Sequence, residues 1–223
     1  SIAVGMGIGA ITAYISVILI NTTVGDQAYA GFGAFWSLIF VVGPGLFLPL
    51  EQEIARAVSH RLARKDGSKP FLRLAFTIAM FIALSVGAIF AAFSPLFINH
   101  VFHHNGQLQI GFIIGIIAFA FLHCSRGIYS GNHNFNAYGA SLAAEGTIRF
   151  LIVLALVLLD VKDVGNYGIA MGITPVLAVI PFIWLIKKLN TEGSQASKKE
   201  LGTALSFLVT SSLLSQALAY SPL

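Results

Sequence analysis

Seven apolar segments, each about the length of a membrane-spanning helix, divide this 223-residue sequence. A helix that crosses the hydrocarbon core of a bilayer needs about 20 mainly apolar residues. Only 10% of the residues are charged, whereas a soluble domain has about 25%. The sequence therefore predicts an all-α, polytopic membrane helix bundle. The segments are residues 2–20, 32–57, 71–93, 109–129, 141–159, 165–186 and 203–220.

The positions of the basic residues support this division. Of the 13 lysines and arginines, 12 lie in or beside alternate joins between the segments, and Lys162 alone lies in the other set. Short loops rich in Lys and Arg stay on the cytoplasmic side of a membrane. We therefore expect a cytoplasmic N-terminus. The net charge of +4 does not indicate nucleic-acid binding, because the cations lie in short loops without interleaved aromatic residues.

Small residues recur in two segments at the spacing of helix contacts. Gly5, Gly7 and Gly9 lie in the first segment, and Gly111 and Gly115 lie in the fourth. Small residues let helices approach closely in lipid, where the hydrophobic effect does not drive their association. We expect these glycines to lie where helices of the bundle pack.

The second segment contains residues that disturb a helix. Gly43, Pro44, Gly45 and Pro49 lie within its apolar run. Each proline removes a backbone donor and disturbs the carbonyl four residues earlier, so this helix is expected to kink or unwind. Freed backbone groups within a membrane need protein or a wet cavity beside them. These four residues are the predicted hinge.

Three charged residues follow where that apolar run ends. Glu53 and Arg56 are three residues apart and are expected to pair, whereas Glu51 points away from Glu53. The group is either an interfacial ion pair with snorkelling side chains or a charged vestibule that faces a cavity. We favour the vestibule, because two carboxylates beside one arginine exceed what anchoring needs.

A second charged group joins the fourth and fifth segments. Glu145 and Arg149 are four residues apart in the favourable order, and Arg126 ends the preceding segment on the same side of the membrane. The surplus positive charge could bind an anion, since guanidinium groups suit phosphate oxygens. A structural salt bridge with a positive-inside anchor is the alternative interpretation.

The histidines between residues 100 and 104 form a His-x-x-His-His pattern, which is also found in membrane di-iron desaturases. The companion histidine clusters of those enzymes are missing, so a solvated loop is the preferred interpretation. The single cysteine, Cys124, cannot form an internal disulfide. No pattern of catalytic residues is evident, so we expect no enzymatic activity, no bound metal and no cofactor.

Four stretches resemble one family of transporters. VGDQAYA at 24–30 is similar to its turn after the first helix, and IARA at 54–57 to the end of its second helix. RGIYSG at 126–131 resembles the end of its fourth helix, and EGTIR at 145–149 the start of its fifth. The chain thus resembles the amino-terminal lobe of polysaccharide-type lipid-linked oligosaccharide flippases, members of the multidrug/oligosaccharidyl-lipid/polysaccharide exporter superfamily.

The resemblance has two departures. Asn21 and Thr22 stand where the family usually has an arginine, and Asp26 replaces the proline of the turn. A cationic contact at the first helix is therefore not expected.

The resemblance implies an organisation for the chain. Residues 1–186 form a six-helix lobe, 187–200 a cytoplasmic linker, and 201–223 the first helix of a second lobe that continues beyond this sequence. The two lobes would enclose a cationic cavity and rock against each other to move the head group of a polyprenyl-diphosphate-linked saccharide across a bacterial cytoplasmic membrane.

The resemblance also implies roles for individual residues. The candidate contacts to phosphate or sugar are Arg56, Arg126 and Arg149. Glu51, Glu53 and Glu145 would orient the arginines or couple transport to a proton or cation gradient. The expected partners are membrane lipid, the lipid-linked saccharide and other envelope-assembly proteins. The alternatives are a drug/cation antiporter of the same superfamily, with an acidic cavity, and a membrane polymerase or acyltransferase.

Overall fold

The computed structural model describes residues 2–195, which form helices and connecting loops with no strand within that range. Six helical stretches are long and apolar enough to cross a membrane, the sixth being residues 164–189. The first six predicted segments and the all-α fold are confirmed, while the seventh, at 203–220, lies outside the described residues. The helices are α1 (Ile2–Val24), α2 (Asp26–Ala63), α3 (Lys69–Ala92), α4 (Ser94–His100), α5 (Gly106–Gly131), α6 (Phe135–Leu158), α7 (Val164–Leu177) and α8 (Ile183–Leu189), with a 3-10 turn at Ile180–Phe182.

Contacts between helices show their relative directions. Gly115 of α5 packs against Ile39 of α2, and Phe119 packs against Gly43, so both contacts advance by four residues and the helices are parallel. α3 runs antiparallel to α5, since Phe76 contacts Phe121 while the later Phe90 contacts the earlier Phe112. The second and fourth spans therefore run in one direction and the third in the other. This agrees with alternate crossing, while the cytoplasmic N-terminus stays a prediction.

α5 is the central helix of the bundle. In its apolar window 72% of the residues are buried, against 11% in that of α1. Glycine makes its close packing possible: a Cβ on Gly111 would lie 2.4 Å from the carbonyl oxygen of Gly168 in α7. The predicted packing role of Gly111 and Gly115 is therefore confirmed.

α1 packs mainly along α6, and again glycines line the contact. A Cβ on Gly5 would lie 2.2 Å from the carbonyl oxygen of Gly139, and a Cβ on Gly146 would lie 2.7 Å from the Cα of Gly9. The order of these pairs makes α1 and α6 parallel. Gly7, by contrast, has no heavy atom within 4 Å of such a Cβ among the described residues. Two of the three predicted contact glycines in α1 thus lie in the interface.

The expected unwinding of the second helix does not occur. α2 continues as one α-helix of 38 residues through both Pro44 and Pro49. Each proline removes a single backbone donor, and the surrounding turns keep theirs. Both flanking glycines are buried, and Gly43 lies against the ring of Phe119. α2 therefore stays unbroken where it packs closely on α5. The role of Gly43, Pro44, Gly45 and Pro49 as a hinge stays a prediction.

Two connections differ from the sequence prediction. α1 and α2 are separated by Gly25 alone, which takes the left-handed φ of 83°, whereas a join of eleven residues was expected at 21–31. The join after α3 contains the short helix α4, which the apolar pattern did not indicate. At the end of that join, the side chain of Asn105 accepts hydrogen bonds from the first turn of α5.

A polar clasp ties the chain after α8 to the loop between α2 and α3. The guanidinium of Arg61, which is 3% exposed, donates to the carbonyl oxygens of Gly67 at 2.9 Å and Ser194 at 3.0 Å. The same group pairs with Asp66 at 3.2 Å. Asp66 in turn accepts hydrogen bonds from the hydroxyl and the backbone amide of Ser194. Part of the predicted linker is therefore fixed to a loop of the lobe.

The clasp is expected to open in acid. The hydrogen bonds from Ser194, first from its hydroxyl and then from its amide, lower the pKa of Asp66 below its ordinary 3.8. A lowered carboxylate pKa favours the closed clasp above the ordinary value, and this contribution is lost as the pH falls through the lower value. Hydrogen exchange of the Ser194 amide should therefore stay slow from about pH 7 to about pH 5. Asp66→Asn should accelerate it at neutral pH, while Lys65→Asn in the same loop should not; equal exchange in both variants would contradict the clasp.

Candidate functional site

Three charged side chains predicted from the sequence meet between α5 and α6. Arg126 donates to a carboxylate oxygen of Glu145 at 2.8 Å, and Arg149 approaches the other oxygen at 3.6 Å. Ser141 completes the arrangement, because its hydroxyl accepts from the Nε of Arg126 at 3.1 Å. Both arginines are at most 6% exposed. We call Arg126, Glu145 and Arg149 the arginine cluster; it holds two guanidinium groups and one carboxylate.

Arg149 lies far along α6 from its start. It is about 21 Å from the first residue of that helix, at 1.5 Å per residue, within a span that is long and apolar enough to cross a membrane. Its guanidinium donates to the carbonyl oxygen of Gly9 at 3.1 Å and lies 5.7 Å from the ring centre of Trp36 and 5.9 Å from that of Phe40. Its Nε is buried without a hydrogen-bond partner among residues 2–195.

An open pocket of about 280 Å³ borders the cluster. α1 and α6 supply most of its wall, and Phe40 of α2 completes it. Glu145 and Arg149 are its charged lining residues within the described part of the chain. A ligand in this pocket would therefore meet the cluster directly.

A second buried group lies beside the cluster. Nδ1 of His123 on α5 is 2.6 Å from one oxygen of Glu51 on α2, and the hydroxyl of Tyr138 on α6 donates to the other at 2.6 Å. Glu51 is 4% and His123 5% exposed. His123 is also within electrostatic range of Glu145. We call Glu51, His123 and Tyr138 the histidine group.

Glu53 and Arg56 form the expected pair. The Nε of Arg56 donates to Glu53 at 3.0 Å. The side chain of Arg56 is 58% exposed, so it lies outside the buried arginine cluster. Glu51 and Glu53 point in different directions, as their spacing predicted. The sequence thus indicated both the pair and the separate direction of Glu51, but Arg56 is placed away from Arg126 and Arg149.

His123, Tyr138 and Ser141 were not among the predicted site residues. A helical pattern could have indicated them: on α6, Tyr138, Ser141 and Glu145 follow each other at spacings of three and four, which places them on one face. His123 precedes Arg126 by three residues on α5. A polar stripe on an otherwise apolar helix is the relevant signal.

The histidines at 100, 103 and 104 do not form a site with other ligands. No group of three or more His, Cys, Asp or Glu side chains able to hold a metal ion occurs within residues 2–195. His104 instead contacts Asn99 at 3.2 Å. Cys124 is buried and has no disulfide partner.

Comparison of sequences identified no relatives: no family model matches the chain, and no curated protein matches it. Comparison of structures found proteins of similar fold. The fold resembles an outward-facing multidrug resistance MATE family transporter of the MOP superfamily, with a TM-score of 0.79 at 16% identity. It also resembles the Vibrio cholerae MATE transporter VcmN in its bent form, with a TM-score of 0.75 at 14% identity. A third similar structure is a MOP superfamily transporter from Pyrococcus furiosus, with a TM-score of 0.76 at 16% identity.

The chain has a MATE-type transporter fold. The alignments cover 96% of this chain and 50%, 52% and 51% of the three transporters, so the chain spans about half of their length. MOP is the superfamily indicated by the sequence resemblance, and the multi-pass membrane character is confirmed. The structural neighbours are transporters and not enzymes, which agrees with the expectation of no enzymatic activity. The MATE-type fold does not distinguish a flippase from a drug antiporter.

Proposed function

We propose that the full-length protein is a membrane transporter that flips a polyprenyl-diphosphate-linked saccharide across the cytoplasmic membrane of a bacterium. The arginine cluster is the observation that carries this proposal. Two buried guanidinium groups face one carboxylate, and one of them borders an open pocket.

The energetic argument concerns the diphosphate. An ionised group within a bilayer costs at least several kcal/mol unless protein groups or water replace its hydration shell. Arginine suits this task because its planar group donates two parallel hydrogen bonds to phosphate oxygens and stays charged. The unpartnered Nε of Arg149 is a donor available for such a bond. The prenyl chain would meanwhile stay in the lipid.

The other predicted residues have supporting roles in this proposal. Glu145 would hold the two arginines in position, and the glycines and prolines at 43–49 would let α2 bend as the lobes rock. The pair of Glu53 and Arg56 would act at the mouth of the pathway. Coupling to a proton or cation gradient and contact with other envelope-assembly proteins are parts of the same proposal.

A drug/cation antiporter is the competing proposal, because one structural neighbour is a multidrug resistance transporter. Such a protein needs an acidic site for a cationic cargo. The described pocket instead has Arg149 beside Glu145, with Arg126 behind that carboxylate. The Pyrococcus furiosus neighbour is described as having a binding pocket of reverse polarity that suggests a different function. Pocket polarity thus differs among proteins of this fold, and the two arginines of the cluster beside the described pocket favour an anionic cargo, as the flippase proposal requires.

The proposal predicts a graded loss of polysaccharide export in cells that depend on the full-length protein. Arg149→Ala should reduce export about 30-fold or more, because removal of a buried partner from a charged contact costs about 2–5 kcal/mol. Arg149→Lys should rescue only part of it, since lysine lacks the planar fork. Glu145 keeps its bond to Arg126 in both variants, which favours normal folding.

Arg73→Ala is the matched control. It removes the same side chain type at an exposed position in the first turns of α3, and exposed charges contribute at most about 1 kcal/mol. We expect a loss of less than about five-fold. Immunoblots of the membrane fraction would verify equal protein levels. Full export with Arg149→Ala at normal protein level would overturn the proposed function, whereas binding of an amphipathic cation that depends on Glu145 would favour the antiporter.

A further inference from the structure

We infer that His123 and Glu51 form a proton-binding site, and that its proton is bound together with an anionic cargo at the neighbouring arginine cluster. This inference rests on the proposed function for the cargo. The proton site itself stands on the geometry of the histidine group.

The two rings beside His123 make its environment apolar. Phe119 and Phe47 lie with their ring centres 5.8 Å and 6.4 Å from that of the imidazole, in stacked orientations. A buried carboxylate in such surroundings needs donors. Glu51 has two of them: Nδ1 of His123 and the hydroxyl of Tyr138 each lie 2.6 Å from one of its carboxylate oxygens. The contact between ring and carboxylate is thus built into the bundle.

The atom that gains the proton follows from these contacts. An ionised carboxylate only accepts hydrogen bonds, so Nδ1 of His123 donates to Glu51 and the neutral ring carries its lone pair on Nε2. Nε2 is buried without a hydrogen-bond partner among the described residues. Uptake of one proton at Nε2 converts the ring to imidazolium, and the contact with Glu51 becomes an ion pair without breaking.

The charge of the surrounding network changes with that proton. Two arginines balance Glu51 and Glu145 when the imidazole is neutral, and the network carries one positive charge when the imidazole is protonated. α1 and α7 contain no acidic, basic or histidine residue, and Arg73 in the first turns of α3 is exposed. Besides the members of the histidine group, the titratable groups of the described helices within electrostatic range of it are Cys124 and Arg126 on α5 and Glu145 on α6.

Proton and anion should therefore help each other to bind. A positive charge on His123 attracts an anion in the neighbouring pocket, and by linkage the bound anion strengthens proton binding by the same factor. For charges about 10–12 Å apart in a protein this factor is on the order of ten-fold. Such co-binding predicts that proton and anion move in the same direction, unlike an exchange in which the two compete.

Calorimetry on the full-length protein in lipid nanodiscs tests this coupling, with farnesyl diphosphate as the probe. Titrations in two buffers of different ionisation enthalpy give the number of protons taken up on binding. The wild-type protein should take up more protons than His123→Asn, whose amide can still donate to Glu51. The probe's own titration is common to both proteins and cancels in the difference. Affinity for the probe should fall on the order of ten-fold more in the wild type than in His123→Asn as the pH rises and His123 loses its proton.

The outcomes separate the proton site from the cargo. Nitrogen-15 spectra of the imidazoles in the wild-type protein, assigned with His123→Asn, should show Nε2 of His123 gaining a proton as the pH falls. A His123 signal that stays constant, or equal proton uptake in both proteins, overturns the inference. If farnesyl diphosphate binds to neither protein, the anionic cargo and its co-binding are rejected, and the imidazole titration decides the proton site alone.

Discussion

Replacing Glu145 with alanine is expected to destabilise the bundle by about 3–5 kcal/mol. The carboxylate contacts both Arg126 and Arg149, at 2.8 Å and 3.6 Å. Its removal leaves two buried guanidinium groups without the carboxylate that both of them contact, and removal of one partner from a buried pair has a cost of this size. Thermal unfolding of the purified full-length protein in detergent measures the effect.

Two further variants determine whether the cause is charge. Glu192→Ala removes a carboxylate that is 78% exposed and pairs with Lys69, so it should cost less than about 1 kcal/mol. The double variant Glu145→Ala with Arg149→Ala should be more stable than Glu145→Ala alone, because one uncompensated charge is gone. If the double variant is less stable than the single one, the arginine cluster is not held by the mutual compensation of its charges.

The sequence predicts the overall arrangement of the spans well. Hydropathy identifies a spanning helix because lipid requires about 20 apolar residues whatever their order. The basic residues then indicate which joins share a side. The parallel packing of α2 on α5 and of α1 on α6 agrees with both signals.

Hydropathy and the positions of the basic residues did not predict the short join at Gly25 or the continuity of α2. Polar residues such as Asn21 and Thr22 indicated a loop, but their side chains are compatible with the last turn of α1, where Thr22 bonds to its own helix. Pro44 indicated a break, yet a proline is tolerated within a spanning helix that is packed against its neighbours, as α2 is against α5 at Gly43. Tertiary contacts thus accompany the unbroken helix at Pro44, whereas a local bond within α1 accommodates Thr22.

The candidate site was predictable only where its residues are close in the chain. Glu145 and Arg149 are one turn apart, so their contact follows from helix geometry. Glu51 meets His123 and Tyr138 across 72 and 87 residues, and no local pattern specifies which helices bring them together. The packing of α5 between its neighbours, which apolar residues and glycines determine, creates the histidine group.

Replacing Gly5 with leucine is expected to separate α1 from α6. Even the first carbon of the new side chain would lie 2.2 Å from the backbone oxygen of Gly139, and a backbone cannot turn away as a side chain can. The destabilisation should reach or exceed the upper end of the about 1–3 kcal/mol typical of overpacked sites. The shift would also withdraw the carbonyl of Gly9 from Arg149, 3.1 Å away, so export should fall with stability.

Gly7→Leu is the matched control in the same helix. It adds the same side chain two residues away, at a position where a Cβ meets nothing within 4 Å in the described structure. This variant should keep the wild-type unfolding temperature within about 1–2 °C, because leucine favours a helix more than glycine does. Disulfide cross-linking of cysteines placed at Gly9 and Leu142 should persist with Gly7→Leu and be lost with Gly5→Leu. Equal cross-linking in both variants would show that the glycine contact does not hold α1 against α6, and the bond from Arg149 to the carbonyl oxygen of Gly9 would then need another explanation.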